Sequence, residues 1–144
     1  MPDFLAASHR HFDDATLLNE HQRFPAADHL AGFAAECALK AILLGFLGAT
    51  LGPKGIPASA VEERTVEHRH LPGLWSQVAQ CAAGRNALRF AELVGGPNPF
   101  ARWDIADRYS VCTHINAADV SDHLAAAARV LAIQQQAAMD GLLP

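Results

Sequence analysis

Residues 24–48 read FPAADHLAGFAAECALKAILLGFLG, and the fold turns on this stretch. Pro25 stands where a first helical residue belongs, and Gly48 followed by Gly52-Pro53 supplies the stop. Between these signals about 24 residues make roughly 36 Å of helix. Its polar members are Asp28, His29, Glu36 and Lys40. A helix apolar on nearly every side must be surrounded by other helices, so this one is expected at the centre of the fold. Glu36 and Lys40 sit one turn apart in its middle. An exposed i,i+4 pair contributes only a few tenths of a kcal/mol. In so apolar a helix the two charges are expected to be partly buried and to act as structural pins, with Glu36 within reach of a cleft.

Outward from that helix the chain breaks into further helical segments. A first helix is expected over residues 3–21, where Phe4, Leu5, Phe12, Ala15 and Leu18 recur at helical spacing and Asp13, Asp14 and Glu20 face outward. Residues 49–66 hold Gly52, Pro53, Gly55 and Pro57 in quick succession and read as a loop, with a short helical turn from Ser59. A third helix over 70–83 places Leu71, Leu74, Trp75 and Val78 on one stripe, and Gly84 ends it. Asn86 to Val94 reads as a short fourth helix closed by Gly95-Gly96-Pro97. The stretch NPFARWDIADRYSVCTH, residues 98–114, is irregular. Asn116 then caps a last helix to about Met139, with Ala118, Val120, Leu124, Ala127, Val130, Leu131 and Ile133 on its buried side. Alanine dominates the composition and strand-favouring residues are scarce, with a single tyrosine. The expectation is an all-α, antiparallel bundle of four to five helices, with residues 1–144 forming one domain.

Composition bounds the function. The most apolar run, Ala41 to Gly52, is short and begins beside Lys40, so no window is read as a membrane span. The first residues, MPDFLAASHRHFDD, lack a basic region followed by an apolar core, and Cys37, Cys81 and Cys112 fall at unrelated spacings. Reduced thiols in a cytoplasmic protein are expected. A net charge of −4 argues against a general nucleic-acid coat. Charge is uneven, however: residues 1–48 carry six acids and three bases, whereas residues 84–108 carry Arg85, Arg89, Arg102 and Arg108 against three acids. Polyanion affinity follows such local cation clusters, so Arg85, Arg89 and Arg102 are candidate phosphate contacts; the plainer reading is a solvated face.

Eight histidines raise metal binding first. His9 and His11 point to opposite sides of a helix, and the His68/His70 pair lacks a third ligand at suitable spacing, so no metal or other cofactor is expected. Neither a nucleophile elbow nor a phosphate-binding glycine loop is present. Arg108 and His114, in Arg-Tyr-Ser-Val-Cys-Thr-His, combine a permanent cation with a titratable imidazole. That pair suits metal-free RNA cleavage. Imidazole can take the 2′-hydroxyl proton or protonate the leaving 5′-oxygen, and guanidinium can hold the phosphorane charge. Spacing alone is weak, because Arg23/His29 and Arg64/His70 share it.

Ala34-Ala-Glu36-Cys-Ala-Leu39-Lys40-Ala-Ile-Leu, then His70-Leu71-x-x-Leu74, then Arg108-x5-His114 ahead of an alanine-rich helix, resembles the HEPN superfamily (higher eukaryotes and prokaryotes nucleotide-binding) over residues 3–138. The resemblance implies a compact helical bundle that pairs as a two-fold homodimer. In its ribonuclease branch, an Arg-x4–6-His motif from each chain meets at the dimer cleft, which maps to Arg108 and His114. Active members carry a polar residue after the arginine, where this chain has Tyr109. Other branches are catalytically silent modules that accompany a separately encoded nucleotidyltransferase. The expected function is thus binding of RNA or nucleotide phosphates at a dimer cleft with metal-independent endoribonuclease activity, supported by Glu36, Lys40 and Tyr109; the alternative is an inactive interaction module.

Overall fold

The apolar stretch does form a central rod. In the computed structural model, which describes residues 1–84 and 87–142, helix α2 runs Phe24–Phe46 with Pro25 in its first turn. Ala27, Ala31, Ala34, Ala35 and Ala38 are buried along it, followed by Leu39, Ile42 and Leu43. Small side chains let neighbouring helices approach the rod closely, while the leucine end supplies most of its apolar volume. Helix α1 (Phe4–Glu20) precedes it, joined through a turn in which Gln22 is left-handed at φ 60°. Asp3 caps α1 by accepting from the Ala6 N–H at 2.9 Å.

Helix α3 (Gly73–Gly84), helix α4 (Ala87–Val94) and the long helix α5 (Ala117–Leu142) close the core. Leu71, Leu74, Trp75, Val78, Phe90, Leu93, Phe100, Trp103, Val130 and Leu131 pack into one buried cluster with the leucines of α2. Asn116 caps α5 reciprocally: its side-chain oxygen accepts from the Asp119 N–H at 3.0 Å, and Asp119 accepts from the Asn116 N–H at 3.2 Å. Ala118, expected on the buried side of α5, is exposed instead.

The all-α expectation is wrong. The chain is 64% helical and 8% strand, a mixed fold with a three-stranded antiparallel sheet where a loop and a helical turn were expected. Strand β1 (Thr50–Leu51) pairs with β2 (Pro57–Val61), which pairs with β3 (Arg64–Glu67), in the order β1-β2-β3. Thr50 lies opposite Ala58, and Val61 opposite Arg64. The glycines and prolines that read as loop punctuation are hairpin punctuation. Gly52 donates to the Ile56 carbonyl at 3.0 Å, Gly55 turns with φ +75°, and Pro57 opens a strand, a position that needs no ladder N–H. Between β2 and β3 the two-residue turn is Glu62-Glu63, both left-handed at φ 48° and 65°. Asn-Gly or Asp-Gly is the usual marker of that turn, which is why the hairpin was illegible.

Helix α2 also corrects a second expectation. Its best 18-residue window has a mean hydropathy of 1.4, so by length and composition alone it is long and apolar enough to cross a membrane. In the fold, 61% of that window is buried against the rest of the chain, as expected of a core helix.

Candidate functional site

The polar residues of α2 organise two separate clusters. Eight residues apart, Asp28 and Glu36 stand about 12 Å from each other along the rod. Both are almost fully buried, at 3% and 2% exposure, and each anchors a histidine from elsewhere in the chain.

Around Glu36, one carboxylate oxygen accepts from Lys40 Nζ at 3.2 Å, and the other accepts from His70 Nδ1 at 3.1 Å and from the Leu71 N–H at 3.2 Å. Lys40 is 8% exposed, and its ammonium lies 5.5 Å from the centre of the Phe4 ring. Removing one partner of such a buried pair costs about 3–5 kcal/mol, and the bonds from His70 and Leu71 to Glu36 tie the segment just ahead of α3 to the middle of α2. His70 bonds to this carboxylate from just ahead of α3. The Glu36 carboxylate is thus engaged by Lys40, His70 and Leu71. Nearby Cys37 is a buried thiol pushed up to about 11, chiefly by desolvation.

Around Asp28 the geometry is set by Gly32 and Trp103. A Cβ on Gly32 would lie 2.0 Å from Trp103 Cε2, so only glycine lets the indole lie flat on α2. Trp103 Nε1 donates to the Asp28 carbonyl at 3.0 Å. This contact pins the chain just ahead of a 3₁₀ turn, Ile105–Tyr109, whose start is capped by Asp104 accepting from the Ala106 N–H at 2.8 Å. Beyond the turn Cys112, left-handed at φ 57°, donates its thiol to the Asp107 carbonyl at 2.9 Å. The segment is thereby locked, and it presents Arg108, Tyr109 and His114 outward. Tyr109 is 80% exposed, with the Arg108 guanidinium 4.8 Å from its ring centre.

His123 of α5 donates Nδ1–H to the Asp28 carboxylate at 2.5 Å. Asp28, His123, Arg102, His114, Ile115 and Asp119 line a cavity of about 40 Å³. That space holds water rather than a nucleotide, so a larger ligand must be met on the surface outside it. His29 stacks on Trp103 with ring centres 5.8 Å apart and meets Phe33 edge-on at 4.7 Å. Its Nδ1 is buried with no hydrogen-bond partner among the described residues. Burial, and after it the Arg108 charge, holds the His29 pKa below its ordinary value. His29 is thus a neutral ring beside a permanent cation.

Of the residues singled out by sequence, Arg102 and His114 converge on the Asp28–His123 cavity. His114 Nε2 also lies 3.8 Å from Asp107 Oδ2, within ion-pair range but too long for a hydrogen bond, and Arg108 follows Asp107 directly. Arg89 does not join them. It is paired with Asp140 at 2.5 Å, and the hydrogen bond from Arg89 holds that carboxyl below the usual carboxylate range. Asp140 and His123 are separated by about 25 Å of α5. Arg85 lies outside the described residues. Among the described residues no group of three or more His, Cys, Asp or Glu is gathered to hold a metal ion.

Asp28, His29 and His123 belong to the site, yet sequence reasoning gave them no role. Asp28 carried one usable signal, a lone carboxylate in an apolar helix that must find a partner when buried. His123 carried none, because 95 residues separate it from Asp28. Compared with known proteins, this chain matches no protein-family model, no curated protein and no solved structure.

Proposed function

We propose that this chain is a HEPN-like, cytoplasmic domain that binds RNA or nucleotide phosphates on the surface around the 3₁₀ turn, and that it cleaves RNA there without a metal when two copies pair. The observation that supports this reading is the placement of Arg108 and His114. They are an exposed cation and an exposed imidazole on one locked segment, and His114 lies near Asp107 and lines the same small cavity as Arg102. In the reaction His114 removes the 2′-hydroxyl proton, the 2′-oxygen attacks phosphorus, and the 5′-oxygen leaves with a proton from the second chain's imidazole. Arg108 carries the charge that builds on the phosphoryl oxygens.

One observation favours a second reading, a catalytically silent module that docks a separate protein such as a nucleotidyltransferase. Tyr109 covers Arg108 and Asp107 faces His114, so both groups already have companions within the chain. Labelled RNA incubated in EDTA with the wild type, Arg108→Ala and His114→Ala separates the two. The nuclease reading expects cleavage by the wild type and a loss of about 10²-fold or more in each variant. Absence of cleavage by the wild type, or equal cleavage by all three proteins, leaves the docking module.

A further inference from the structure

The sheet brings together three residues that lie far from the Arg108 surface in the sequence. Ser59 on β2 and His68 just after β3 sit on one face of the sheet, diagonal neighbours across the pair. His68 is fully buried, yet both ring nitrogens are satisfied. Nδ1 lies 2.8 Å from Gln77 Oε1 on α3, and Nε2 lies 2.8 Å from Ser59 Oγ. An amide oxygen can only accept, so the Nδ1 proton points to Gln77. Nε2 is then left as the base, and the Ser59 hydroxyl donates to it. A hydroxyl hydrogen-bonded to an imidazole whose far nitrogen is held by a third group is the arrangement of an activated nucleophile.

Ser59 also meets open space. It lines a cleft of about 290 Å³ with Leu47, Gly48, Ala60, Val61, Gln80 and Cys81, between the end of β2 and the outer turns of α3. The backbone supplies a candidate oxyanion donor at the same rim. The Pro57 carbonyl accepts from the His68 N–H, so alternation along β2 turns the backbone groups of Ala58 and Ala60 toward β1. Strand β1 reaches only as far as Thr50, opposite Ala58. The Ala60 N–H therefore lies past the end of β1, beside the cleft that Ala60 itself lines.

We propose that Ser59, with His68 as its base and Gln77 as the group that orients the imidazole, is a nucleophile toward small acyl esters bound in this cleft. Ser59 Oγ bonds to the acyl carbon as its proton passes to His68 Nε2. The ester C–O bond then breaks, and the alcohol departs with that proton. Water, deprotonated by the same nitrogen, releases the acid and restores Ser59. Leu47 and Val61 suit a short acyl chain, and Gln80 can hydrogen-bond a polar group on it.

The test is labelling of the whole protein with a fluorophosphonate, a reagent that transfers its phosphonyl group to activated serines and loses fluoride. Native wild type is expected to carry the label on the Ser59 peptide, read by mass spectrometry, and urea-denatured wild type to carry none. Ser59→Ala removes the label, and His68→Asn slows labelling by about 10²-fold or more. Circular dichroism checks that each variant folds, and Gln77→Leu, expected to slow labelling, serves if His68→Asn does not. Native wild type without label on Ser59, or label undiminished in a folded His68→Asn or Gln77→Leu protein, makes the trio a purely structural network and overturns the proposal.

Discussion

His29 is held neutral by its surroundings, and that has a consequence for stability. Burial first, and the Arg108 charge second, push its pKa below 6.5. His11, whose ring centre lies 5.7 Å from Phe33, is lowered in the same way by burial and then by Arg10. Above pH 6.5 both rings are largely neutral in the folded and unfolded chains, and little depends on pH. As pH falls below that value the unfolded chain binds protons that the folded one refuses, so stability declines until the lowered folded pKa values are reached. Urea denaturation is expected to give a falling midpoint in this window, and a His11→Gln, His29→Gln double variant a shallower fall. An unchanged slope in the double variant would remove these two rings as the cause. The same neutral state bears on the proposed RNA binding, because His29 then adds no charge of its own beside Arg108.

Among the elements, the contact of α2 with the 98–114 segment matters most for the candidate site. Trp103 is 2% exposed and lies where any Cβ on Gly32 would have to go. The indole is bonded to α2 through its own nitrogen and cannot swing aside as a flexible chain end would. Gly32→Ala is therefore expected to cost about 1–3 kcal/mol, the usual penalty of overpacking a core, even though alanine favours helix. Denaturant midpoints and tryptophan fluorescence check it. A variant as stable as the wild type, with unchanged emission, would mean that the indole does not seat on α2 this way. Displacing Trp103 would also release the 3₁₀ turn, so loss of Arg108 and His114 function should accompany loss of stability.

At the level of the molecule the proposed cleavage site is incomplete in one chain, because a general base and a general acid are both required and the turn supplies one exposed imidazole. The proposed cleavage chemistry therefore calls for a homodimer. Tyr109 and Val111, 80% and 85% exposed on the locked segment, are large apolar groups that the proposed dimer would use as its contact. Sedimentation equilibrium is expected to return the mass of two chains. Tyr109→Asp with Val111→Asp should return the mass of one, with RNA cleavage lost in parallel. A wild type that stays monomeric at high concentration contradicts the shared cleft and leaves the docking module as the better reading.

Periodicity and punctuation by themselves determined the helices, because amphipathic stripes, caps and glycine stops act through neighbours three or four residues away. They placed α2, the stripe of α3 and the Asn116 cap, and they marked Glu36 and Lys40 as a pair needing burial. Strand pairing escaped them. A two-residue Glu62-Glu63 turn is selected by the strands that flank it, and a residue in β2 is stabilised by partners it meets only after the chain has turned. The site divides along the same line. Arg108 and His114 are singled out through a resemblance in motif order along the chain, because two other arginine–histidine pairs share their spacing. The Asp28–His123 bond, the indole laid on Gly32, the removal of Arg89 to the far end of α5 and the Ser59–His68–Gln77 relay were decided by tertiary structure alone. Each depends on which buried polar atoms find one another, and a linear pattern does not carry that information.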